Sequence, residues 1–168
     1  MNFRFKLYRI LTALTLMVSG FFTFVGLYVT LFVGTNIMML LSLMIWGACF
    51  IHSILSLYLQ RSLLLPEVPL KENTPTGIRI MGAITMGFGM LLFFGGFCLL
   101  AASPEMIAEA VKQMPPQEQA AINVSILKPL GAVFLVLSFL LTFNANLSFS
   151  YLKQWLGKQE QHHQQEEE

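Results

Sequence analysis

Of the side chains that titrate near neutral pH, only His52 falls inside a long run free of charge, with Ser53 beside it, Ser56 one turn on and Trp46 about a turn and a half away. An ionisable group in such surroundings marks a ligand contact or a proton-sensitive gate. The plainer alternative is a neutral imidazole hydrogen-bonded to a Ser or Thr of a neighbouring helix. Haem ligation would need a second histidine at comparable depth, yet His162 and His163 lie in a polar tail. That adjacent pair also falls short of the three or four ligands a metal site requires. Cys49 and Cys98 stand singly in different apolar runs, without the C-x-x-C spacing of thiol exchange. The chain contains no Asp, and no Glu interrupts the apolar runs, so proton-coupled exchange lacks its embedded carboxylate. No phosphate-binding loop, H-E-x-x-H or G-x-S-x-G appears. The expectation is a protein that is not an enzyme, with no metal and no cofactor.

The elements that would position these side chains follow from composition. Of 168 residues, 55% are apolar and 11% charged. A soluble domain carries roughly 25% charged residues. Residues 10–60, 80–104 and 129–152 carry no charge and make up about three fifths of the chain. A bilayer core of about 30 Å takes roughly 20 apolar residues in a helix. Gly34-Thr35-Asn36 divides the first run into a tight helical hairpin, which gives spans near 10–33, 37–59, 80–102 and 126–149. The N-terminal run exceeds the roughly 7–15 residues of a secretory signal core, so it reads as a retained helix. The fold expected is all-α: an integral membrane four-helix bundle over residues 1–156, followed by a disordered polar tail at 157–168.

Charge sets the expected orientation. The net charge of +1 leaves no basic face for nucleic acid. Arg4, Lys6, Arg9, Arg61, Lys71, Arg79, Lys153 and Lys158 lie on one side of the four spans, and only Lys112 and Lys128 on the other. Basic residues mark the cytoplasmic side, so both termini are expected there, in a plasma or bacterial inner membrane. Tyr8, Tyr58, Tyr151 and Trp155 fall where interfacial anchors belong. The connector at 61–79, with Pro66, Pro69 and Pro75, shows no fold of its own. In the last loop Ser103 can cap a helix that begins at Pro104 with Glu105 in its first turn, a short amphipathic element ended by Pro115-Pro116.

In lipid, small and weakly polar residues mark the faces where helices meet. Thr12, Thr15, Ser19, Thr23, Gly26 and Thr30 form such a row in the first span. Ser42, Trp46, Cys49, Ser53, Ser56 and Gln60 form one in the second. Gly82, Gly89 and Gly96 are seven apart in the third, beside a second small pair, Ala83 and Gly87. In the fourth, Gly131, Ser138, Thr142 and Ala145 line up, with Asn144, Asn146, Ser148 and Ser150 crowding the inner half. Near-heptad rows suit a left-handed bundle. The role expected is a noncatalytic accessory or structural subunit acting through helix–helix contacts, as a homo-oligomer or in a larger membrane complex, with the lipid bilayer as its partner. The competing reading is a small-solute or lipid-binding transporter or channel, whose polar path would run by His52, Trp46, Ser53, Asn144 and Asn146.

Overall fold

The computed structural model describes residues 3–32, 34, 36–65, 68, 70–113 and 124–166. Among them the structure is entirely helical, without strands: α1 (Phe3–Phe32), α2 (Ile37–Leu64), α3 (Thr74–Ala101), α4 (Pro104–Lys112) and α5 (Val124–Glu166). Four of these are long and apolar enough to cross a membrane. Each runs beyond the span expected from its uncharged core, since charge marks where hydrocarbon would end and not where a helix must. Arg4, Lys6 and Arg9 occupy the first turns of α1 with their side chains exposed, where nothing opposes helical backbone.

Local chemistry explains the ends. Gly34 sits at φ +116°, a conformation that side chains resist. Asn36 caps α2 by accepting a 2.7 Å hydrogen bond from the Met39 N–H. The connector expected over 61–79 is shorter than that, because α2 continues to Leu64 and α3 already begins at Thr74. Pro75 falls in the first turn of α3, where a missing N–H costs nothing. α5 likewise carries on to Glu166, so residues 157–166, expected as a disordered tail, are helical. Their Gln, Glu and Lys residues are strong helix formers, and no proline follows Pro129 to interrupt them. Residues 167 and 168 lie outside the described residues, as do Met114, Pro115 and Pro116.

The chain divides into two compact units, Met1–Phe88 with Leu140–Glu168, and Gly89–Phe139. In the first, Leu59, Ile78 and Leu152 form a buried cluster that joins the end of α2, the start of α3 and the later part of α5. Tyr8 stacks on Tyr151 at 5.1 Å, and Phe5 meets the same ring edge-on at 5.5 Å. These aromatic contacts bring the start of α1 to that cluster. The helix ends gathered here carry eight of the ten Lys and Arg residues, all exposed.

In the second unit, the backbones of α3 and α5 touch at a pair of glycines. A Cβ on Gly96 would lie 2.7 Å from the Gly131 carbonyl oxygen, and one on Gly131 would lie 3.0 Å from that of Gly96. Only glycine permits this approach. α4 begins as expected: Ser103 accepts from the Met106 N–H at 3.3 Å, Pro104 follows, and Ile107 is buried. Hydrogen bonding to Ser103 and to backbone N–H holds the exposed Glu105 carboxyl below its ordinary pKa. Leu91, Phe94 and Phe97 of α3 point outward, bare of protein cover.

Candidate functional site

The polar side chains of the first unit converge because helical spacing repeats every three or four residues. α1 supplies Tyr8, Thr12 and Thr15, α2 supplies His52, Ser56 and Gln60, and α5 supplies Asn144 and Ser148, all buried. Gln60 donates from Nε2 to Thr12 Oγ1 at 2.7 Å, and that hydroxyl lies 2.8 Å from both Asn144 Oδ1 and the Tyr8 carbonyl. Ser148 Oγ is 2.8 Å from Ser56 Oγ and 3.0 Å from the Tyr8 hydroxyl. Each of these two sets links three helices through side chains, and they join into one network where Thr12 donates to the Tyr8 carbonyl and Ser148 to that of Asn144. At its edge Trp155 Nε1 donates to Ser62 Oγ at 3.0 Å.

Around this network most hydroxyls turn back on their own helix. Ser19 donates to the Thr15 carbonyl, Thr23 to that of Ser19, Ser53 to that of Cys49, and Thr85 to that of Met81. Among the described residues, the buried atoms without a hydrogen-bond partner are both ring nitrogens of His52, Asn144 Nδ2, and the hydroxyls of Thr15 and Thr30. His52 is wholly enclosed, at 0% exposure, and its ring lies against Gly82. A Cβ there would come within 3.2 Å of His52 Nε2 and 2.7 Å of the Phe149 ring. The imidazole is thus packed among helices α2, α3 and α5, not open to a cavity.

Of the residues singled out from sequence, His52, Ser53 and Asn144 are buried. Trp46 is half-buried, stacked on Phe22 at 4.4 Å and edge-on to Phe88 at 5.1 Å. Asn146 is exposed, and the structure does not bring it to the others. Two residues along a helix turn a side chain by about 200°, which carries it to the opposite face. Thr15 and Ser19 are buried, Thr23 and Gly26 half-buried, and Gly26 faces Leu43. Gly82, Gly89 and Gly96 are all buried, whereas Ala83 and Gly87 are exposed.

From sequence Tyr8 reads as an interfacial anchor, but its ring is fully buried and its hydroxyl belongs to the network. A signal for this exists: Tyr8 precedes Thr12 by four residues and extends the same row by one turn. Chemically, the arrangement holds neither carboxylate nor thiolate nucleophile. Among the described residues no three His, Cys, Asp or Glu side chains gather as a metal site would require. What it can do is join helices and offer unused hydrogen-bonding capacity at His52 and Asn144. No family model, curated protein or solved structure matches the chain, so this geometry alone carries the functional reading.

Proposed function

We propose that the chain is a noncatalytic multi-pass protein of a cell membrane that acts through contacts between helices, as a homo-oligomer or as an accessory subunit of a larger membrane complex. The observation that carries this reading is the exchange among Tyr8, Thr12, Ser56, Gln60, Asn144 and Ser148, in which every buried polar side-chain atom but Asn144 Nδ2 is served within the protein. A conduit would turn those groups toward water. The outward Leu91, Phe94 and Phe97 side chains favour hydrocarbon as the surrounding solvent. The eight exposed cations at one end of the first unit favour cytoplasmic placement of both termini.

The test is thiol accessibility in native membranes. In a background of Cys49→Ala and Cys98→Ala, the variants Ser53→Cys and Thr23→Cys should resist a membrane-impermeant maleimide. Labelling of both would replace the dry bundle with a hydrated path. In parallel, Gly96→Leu should break the α3–α5 contact within the chain and lower its thermal stability, while Thr15→Ala and Ser53→Ala should leave assembly on native gels intact.

A second reading, a transporter or channel with a polar path past His52, is favoured by one observation, the unpartnered nitrogens of His52 together with Asn144 Nδ2. Under that reading His52→Leu alters flux of a solute or lipid while folding survives. Under the first reading the same variant changes only stability.

A further inference from the structure

Away from the network, a cleft opens between the last turns of α2 and the entry to α3. It encloses about 310 Å³ and is lined on its polar side by Tyr58, Arg61, Ser62, Lys71 and Thr74, and on its apolar side by residues that include Leu55 and Leu70. Ligand pockets run from roughly 300 to 1,000 Å³, so this one suits a small group. Among the described residues its lining holds two cations and no carboxylate. Glu72 borders an adjoining open groove that shares Leu55, Lys71 and Thr74 with the cleft, and Glu67 lies outside the described residues.

We propose that this cleft binds the phosphate of an anionic phospholipid headgroup. Arg61 and Lys71 are exposed, and among the described residues neither is engaged in an ion pair. A guanidinium offers a planar fork matched to phosphate oxygens, and an ammonium adds a mobile point charge. Thr74 is the first residue of α3, so the positive end of that helix borders the same space. The Thr74 N–H is bonded to the Lys71 carbonyl and Pro75 has none, so the helix contributes its dipole and not those amide donors. Ser62 Oγ already accepts from Trp155, which leaves its own proton to donate. The Leu55 and Leu70 wall argues for a lipid over free phosphate, since an inorganic ion gains nothing from aliphatic cover. Exposed Tyr58 at the rim suits the level of headgroups. The inference rests on the membrane reading above for the cleft's placement at a bilayer surface, but not on which leaflet it faces.

The experiment is native mass spectrometry of the full chain in neutral detergent, titrated with dioleoylphosphatidylglycerol, dioleoylphosphatidylcholine or inorganic phosphate. The expected result is one phosphatidylglycerol retained per chain, about tenfold more tightly than phosphatidylcholine. The double variant R61Q/K71Q should weaken it about thirtyfold, on the order of 2 kcal/mol. The charge-conserving R61K/K71R should bind nearly as the parent does. R4Q/K6Q removes two charges from the same end of the first unit but outside the cleft, and should also leave binding intact. Equal losses in the two neutralised pairs would reduce the effect to diffuse surface charge and overturn the site. Equal affinity for the two lipids would do the same, and displacement by millimolar phosphate would reassign the cleft to a free anion. Circular dichroism checks folding. Should the double variant unfold, Arg61→Gln and Lys71→Gln singly, each expected to lose about fivefold, decide the question. Detergent has no sides, so a failed orientation leaves this result standing, and a failed titration leaves the orientation untouched.

Discussion

Thr12 is the busiest residue of the network: its hydroxyl accepts from Gln60 and has a single proton to share between the Tyr8 carbonyl and Asn144 Oδ1. Valine keeps its shape and removes both functions. Hydrogen bonds between membrane helices contribute about 0.6 kcal/mol on average, because the separated helices also find partners. Thr12→Val should therefore destabilise by about 1–2 kcal/mol, as it strands two buried partners. In a double-mutant cycle with Asn144→Ala the coupling should be close to that average, about 0.6 kcal/mol, read from denaturant unfolding in mixed micelles. A coupling indistinguishable from zero would remove this bond from any account of the site. The depth of His52 is legible in the sequence, since no charge lies within eight residues on either side. The choice between Asn144 and Asn146 is not, because each sits one position from Ala145 and the row passes through Ala145 itself. Only the packing of α5 against α1 and α2, a tertiary fact, turns one amide inward and the other out.

The third helix shows what a single element can and cannot announce. The seven-residue spacing of Gly82, Gly89 and Gly96 marks a face that is buried, yet the same rule also marks Ala83 and Gly87, which are exposed. Small residues permit close approach without requiring it, so spacing names candidate faces and a neighbour must select among them. This selection gives an order of sensitivity to alanine. At Gly96 the new Cβ meets the backbone of Gly131, which cannot move aside. Gly96→Ala should therefore cost about 1–3 kcal/mol. At Gly82 it meets the far end of the Phe149 ring, which can swing, so the loss should be smaller. At Gly87 and Gly95 a Cβ meets nothing. Alanine there should be neutral or stabilise by about 0.5–1 kcal/mol through helix propensity. Thermal unfolding of the four variants in one detergent checks the ranking. A Gly96→Ala protein as stable as Gly87→Ala would mean that the glycine pair is not in contact. Helix ends are the least legible feature, since charge that would end a span in hydrocarbon, as at Arg9 and Lys153, does not end a helix.

Across the whole molecule the four long helices are legible because hydropathy acts along the chain and needs no partner. Orientation depends on a comparison the sequence also contains: eight Lys and Arg residues follow or precede spans on one side, and two on the other. The first set is exposed at one end of the first unit, where the start of α1, the end of α2, the entry to α3 and the later part of α5 come together. Moving that many cations through hydrocarbon during insertion costs far more than moving two. A fluorescent protein fused after Glu168 should therefore be active in the cytoplasm, and an alkaline phosphatase inserted at Gln117 should be active on the opposite side. The bias has a margin. Replacing Arg4, Lys6 and Arg9 with glutamine still leaves five cations against two, and that variant should keep the parent's reporter pattern, while further loss of Arg61, Lys71 and Arg79 should yield a mixed population. If only one reporter of the parent protein is active, both lie in one compartment and an even number of crossings separates Gln117 from Glu168. The arrangement of four spanning helices would then give way to three or five, whatever the packing within each unit.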